Sequence, residues 1–154
     1  MAKDVPHGRD LRRGRVSEAG QIYLVTSVTH ARQPLFADLH HARALVRCLR
    51  HTAGTGAVET LCYVVMPDHL HWLLALGEGH DLSRLVQGVK SYSARHVNAL
   101  RGETGPVWQR GFHDHALRAE EDILATARYV VANPVRAGLV AGLADYPHWD
   151  AIWL

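Results

Sequence analysis

The chain is predicted to adopt an α+β fold, an antiparallel sheet with helices packed mainly on one face. Three features point there. Short runs rich in β-branched and aromatic residues alternate with longer stretches whose apolar residues recur at helical spacing. The two central strand-like runs are separated only by Pro67-Asp68, which suits a hairpin and is far too short for a parallel crossover. Across 154 residues there is no repeat, linker or low-complexity tract, so residues 1–154 are expected to form one domain around one core. Within it, 1–19 reads as a basic arm, 20–140 as the core and 141–154 as a tail.

The elements follow in order. Gln21 to Thr29 is dominated by strand formers after Gly20. Asp38 is placed to cap a helix over about 38–52, in which Ala42, Leu45, Val46 and Leu49 share a stripe that Gly54 and Gly56 bring to an end. Val58–Met66 and the run from His69 to about Leu76 are the arms of the hairpin. Asp81 then caps a long helix with Leu82, Leu85, Val86, Val89, Val97 and Leu100 along one side. Residues 101–106 break it, and 107–118 reads as extended. A third helix is expected from Ala119 or Glu120, with acidic residues in its first turn, to Asn133-Pro134. Its apolar stripe is Ile123, Leu124, Ala127, Val130 and Val131.

Composition excludes several classes. Cys48 and Cys62 are the only cysteines and form no C-x-x-C pair, which argues against a zinc ribbon or disulfide scaffold and favours a reducing cytoplasm. No run approaches the roughly 18–20 apolar residues of a membrane span. There is no Walker loop, no G-x-G-x-x-G, no H-E-x-x-H and no zinc-deaminase signature, so neither a nucleotide cofactor nor those metal chemistries is expected. A formal charge of +2 is only mildly basic, but Arg9, Arg12, Arg13 and Arg15 lie within seven residues and form either a phosphate-contacting arm or a solvated terminus.

Twelve histidines are the compositional anomaly. His69 and His71 are one residue apart in an apolar strand, so both face the same way as Leu73, while Leu70, Trp72 and Leu74 face the other. Two imidazoles on a rigid sheet suit a divalent metal if a third ligand arrives from elsewhere. A His-rich chain also yields such pairs by chance, and His113-x-His115 is a second. On the third helix Tyr129 falls opposite the apolar stripe with Asn133 four residues on, which offers either a nucleophile beside a hard-metal ligand or an exposed tyrosine beside a helix-ending asparagine. Tyr92 on the long helix is a rival nucleophile without an amide or carboxylate at i+4.

Tyr23-Leu24-Val25-Thr26, Pro34-Leu35-Phe36, MPDHLHWLL at 66–74, WQRGFHDHALR at 108–118 and YVVANPVRAGLV at 129–140 together resemble the small single-tyrosine HUH transposases, specifically the REP-associated tyrosine transposases of bacteria. The resemblance spans about 120 residues. It implies a ferredoxin-like domain with the histidine pair on a central strand and the nucleophilic tyrosine on a helix facing it. His69 and His71 match the metal-binding pair, Tyr129 the nucleophile and Asn133 the position that completes the metal site. His115 matches a recurrent histidine, whereas His113 matches no fixed position and is expected to be dispensable.

The activity so implied is metal-dependent cleavage and joining of single-stranded or hairpin DNA. Mg²⁺ or Mn²⁺ would assist attack by Tyr129 to give a 5′-phosphotyrosine and a free 3′-hydroxyl. Lys90, Arg95, Arg110 and Arg118 join the basic arm as candidate contacts to the DNA backbone, on charge alone. The resemblance is compatible with either a monomer or a homodimer. Two alternatives stay open: a non-catalytic module that binds structured DNA or RNA, and a metal hydrolase acting through activated water.

Overall fold

The computed structural model describes residues 6–7, 20–118 and 122–153. Its sheet runs β1-β5-β2-β4-β3-β6, where β1 is Pro6–His7, β2 Ile22–Val28, β3 Val58–Met66, β4 His69–Leu76, β5 Phe112–Ala116 and β6 Trp149–Ala151. Every pairing is antiparallel. The helices are α1 (Leu39–Gly54), α2 (Leu82–Arg101), α3 (Ile123–Val131) and α4 (Asn133–Arg136). In the segment β2-α1-β3-β4-α2-β5 the four strands lie in the order β5-β2-β4-β3, the ferredoxin-like arrangement that the resemblance implied.

Alternation along the strands divides the interior into two layers. Tyr23, Val25, Leu70, Trp72 and Leu74 point to one face and are buried beneath Ala42, Leu45 and Leu49 of α1 and Leu82, Val86, Val89 and Val97 of α2. Each fully buried leucine there contributes about 1.5–3 kcal/mol. Leu73, Cys62, Val64 and Met66 point to the other face and pack against Ala127, Val130 and Val131 of α3. The two long helices therefore share one face, and the third covers part of the other, the face that carries the histidine pair.

Local chemistry sets the boundaries. The Asp38 carboxylate accepts from the backbone N–H groups of His40 and His41 at 2.8 and 3.3 Å, and Asp81 accepts from Arg84 N at 3.0 Å. Gly102 ends α2 in the left-handed region at φ 64°. Gly77 passes so close to the start of β3 that a Cβ there would lie 2.5 Å from the Gly56 carbonyl oxygen.

Several sequence expectations need correction. The described part of the third helix begins at Ile123, because Asp122 is extended and its side chain accepts from Ala125 N at 3.1 Å; the acidic residue caps the helix from outside the first turn. That helix stops at Val131, and Asn133 opens a separate turn, α4, in which Pro134 needs no N–H partner. Leu124 and Leu100 were assigned to buried stripes but are 36% and 53% exposed. The tail supplies β6, which pairs with the outer edge of β3. Arg9, Arg12, Arg13 and Arg15 lie outside the described residues, as do Ala119 and Glu120.

Candidate functional site

The Pro67-Asp68 turn delivers β4 with its first residue, His69, half-buried at the rim of the sheet. The imidazoles of His69 and His71 stand edge to face with centroids 4.7 Å apart. Both Nδ1 atoms are engaged: that of His69 with Asp68 Oδ1 at 2.7 Å, and that of His71 with Thr26 Oγ1 at 2.8 Å. A carboxylate or hydroxyl accepting from Nδ1–H fixes ring and tautomer and leaves the Nε2 lone pair as the ligating atom. Asp68 is in turn held by Arg32 at 3.3 Å. Burial works to raise the Asp68 carboxyl, but hydrogen bonds and charge from His69 and Arg32 outweigh it and keep the carboxyl below its usual range. The turn that carries Arg32 is strained, with Ala31 at φ 54° and Arg32 at φ 51°.

Burial, and after it the charges of His69, Arg136 and His113, push His71 down to about 3, so this ring is neutral at physiological pH. Arg136 lies on α4. It donates to the Tyr129 carbonyl at 2.6 Å and to Asn133 Oδ1 at 3.0 Å, and its guanidinium sits 3.9 Å over the Tyr129 ring. Tyr129 is 61% exposed, as its position off the apolar stripe predicted. Tyr129 and Asn133 thus belong to successive helices joined by one arginine, rather than to one continuous helix surface.

The donor chemistry of the histidine pair fits a divalent metal: two oriented imidazoles, each backed by an oxygen on its far nitrogen. Asn133 fits less directly, because its oxygen accepts from Arg136 while its Nδ2 is buried without a partner. Among the described residues no group of three or more His, Cys, Asp or Glu could by itself hold a metal ion. Among those residues no carboxylate cage is built, and the third-ligand candidate is the amide of Asn133.

The remaining candidates scatter. Tyr92 of α2 stacks on His51 of α1 and tilts against His96 of its own helix, with Arg95 5.7 Å over its ring, and α2 packs on the sheet face opposite the pair. Lys90 Nζ donates to the carbonyls of Gln109 and Gly111, both at 2.6 Å, and burial pushes its ammonium down to about 8. It braces the loop whose Trp108 ring packs on Phe36 and donates to Ser93 Oγ. Arg110 and Arg118 are exposed at either end of β5. Sequence reasoning passed over Thr26, Arg32, Asp68 and Arg136. Thr26, Asp68 and Arg136 stand inside the quoted motifs, but the Thr26 contact with His71 follows only from strand pairing, and Arg32, outside the motifs, reaches the site through chain reversal.

A family model described as transposase, IS200-like, matches residues 19–133. The REP-associated tyrosine transposase of Escherichia coli K12 is 33% identical over 91 residues, covering 58% of this chain and 52% of its own. A Haemophilus influenzae relative is 28% identical over 100 residues, covering 58% of this chain and 57% of its own. The chain thus spans about half the length of the curated relatives it matches. Among solved structures, a REP-associated tyrosine transposase bound to a REP hairpin superposes with a TM-score of 0.68 at 26% identity, covering 88% of this chain and 79% of that one.

Proposed function

This chain belongs to the family of IS200-like transposases, and we propose that it cleaves and rejoins single-stranded or hairpin DNA with Tyr129 as the nucleophile. The observation that carries the reading is the corner where α3 meets α4, with α3 on β3 and β4 and α4 on β3. There Arg136 binds both Tyr129 and Asn133 and is close enough for its charge to act on His71. Foldback hairpins are the first substrates to test, since the solved neighbour holds one.

In this mechanism His69 and His71 would hold Mg²⁺ or Mn²⁺, with Asn133 joining once Arg136 releases its oxygen. The ion supplies Lewis-acid polarisation of the scissile phosphate. Tyr129 attacks phosphorus as its phenol loses a proton, the P–O3′ bond breaks, and the leaving 3′-oxygen is protonated. Arg136, freed from Asn133, is positioned to neutralise charge on the phosphate. Because the phosphotyrosine retains the phosphodiester linkage, attack by a second 3′-hydroxyl rejoins DNA without a nucleotide cofactor.

The test uses 5′- and 3′-labelled hairpins with Mn²⁺, scored for protein-linked DNA on a denaturing gel. The adduct should carry the 3′ label, vanish with EDTA and with Tyr129→Phe, and persist with Tyr92→Phe. An adduct formed by Tyr129→Phe removes this nucleophile, and cleavage without an adduct points to activated water. A binding-only module has one observation in its favour, the Arg136 guanidinium on Asn133 Oδ1 where a cation would sit. Hairpin binding indifferent to EDTA, with no cleavage, would establish that reading instead.

A further inference from the structure

Thr26 of β2 stands opposite His71 of β4 on one side and opposite His113 of β5 on the other. Directly paired residues of an antiparallel sheet project from the same face, so His71, Thr26 and His113 form one row across three strands. With strands about 4.8 Å apart, the Cα atoms of the two histidines are roughly 10 Å apart. The Thr26 side chain is the smallest of the three and turns its hydroxyl to His71. On the other flank the row is closed: Val64 of β3, opposite His71, is fully buried under α3. On the β3 side the row therefore offers no room beside His71, whereas Thr26 and His113 continue it on the other side.

His115 lies one row further along. It pairs with Leu24, which pairs with Leu73, and both leucines belong to the apolar layer under α3. The histidine without a matching motif position therefore shares the row of the candidate ligand, and the one with a match does not.

Resting on the function proposed above, we propose that His113 is a phosphate-binding residue of the cleavage site, donating an imidazole N–H to the DNA phosphate next to the scissile one. The scissile phosphate is then held from two directions, by the histidine pair and by the tethered neighbour. This restrains the strand along the His71-Thr26-His113 row.

The experiment measures binding of a short single strand to full-length Tyr129→Phe protein by fluorescence anisotropy, with one neutral methylphosphonate moved phosphate by phosphate along the strand. At one position the neutral link should weaken binding roughly fivefold to tenfold, the worth of one such hydrogen bond. His113→Ala should lose the same factor on the unmodified strand and lose nothing further at that position. His113→Gln should recover part of the loss, and His115→Ala should keep the full sensitivity. Thermal melts confirm that each variant folds. Unchanged affinity of His113→Ala, or undiminished sensitivity at every position, overturns the assignment. If the coupling appears but wild-type protein forms no adduct, the phosphate site stands and the nuclease reading fails. If the adduct forms without coupling, only the phosphate site fails. A protein that binds no strand at all overturns both.

Discussion

Thr26→Val is the sharpest probe of how the sheet prepares the histidine pair. Valine preserves volume and β-branching, so no cavity opens, and what is lost is the 2.8 Å hydrogen bond to His71 Nδ1. A hydrogen bond of this kind is worth about 1 kcal/mol, and a buried imidazole N–H left unpaired raises the cost to about 1–2 kcal/mol. For a chain of this length that lowers Tm by about 2–8 °C. The second consequence is orientation. Without Thr26 the His71 ring can flip or change tautomer, and loss of such an outer partner weakens metal binding about 10- to 100-fold. Circular-dichroism melts read the first effect and Mn²⁺ titration followed by electron paramagnetic resonance reads the second, with Thr26→Ser as the variant that should restore both. A Thr26→Val protein that melts and binds Mn²⁺ like wild type would show that the hydroxyl does not set the ring, and the account of the site would fail at its base.

Other perturbations separate structural from functional roles. Arg136→Met should cost no more than about 1 kcal/mol, because its contacts are exposed, yet slow adduct formation roughly tenfold by loosening Tyr129 and removing the guanidinium that would neutralise the phosphate. Arg136→Lys should not rescue, since an ammonium cannot fork to both partners, and a wild-type rate in Arg136→Met would refute the proposed corner. Lys90→Met should destabilise by about 1–2 kcal/mol, chiefly by leaving the part-buried Gly111 carbonyl without its donor, since the Gln109 carbonyl is open to water. It should leave the salt dependence of DNA binding unchanged, whereas Arg110→Ala should reduce that slope by about 0.7; a reduced slope for Lys90→Met would make it a DNA contact after all. Burial pushes the thiols of Cys48 and Cys62 up to about 11 and about 12, from 9.0. Raised folded values stabilise fully below pH 9 and lose that contribution as pH climbs through the folded values, so urea stability should fall from pH 9 upward and less steeply in Cys62→Ala. At pH 8 neither thiol should react with a disulfide reagent before unfolding, and rapid labelling would contradict their burial.

Much of the fold was legible because its signals are local. The β3–β4 hairpin, the Asp38 and Asp81 caps and the facing of His69 and His71 depend on alternation, capping and turn chemistry within a few residues. The errors came where tertiary packing overrules periodicity. Leu100 continues the α2 stripe but stays 53% exposed at the end of the helix. Asn133 falls at i+4 from Tyr129, yet Ala132 and Pro134 open a new turn there, so the relation between the two side chains depends on Arg136.

The sequence also carried the family, through motifs spread over the chain in order. It ranked the two histidines of β5 by motif match alone, His115 above His113. Strand register, a matter of which backbone N–H meets which C=O across 45 or more residues, sets His113 in the row of Thr26 and His71 and His115 among leucines. Alternation says that both share a face; the distance along that face depends on pairing with a strand far away in the chain, and no local pattern encodes it.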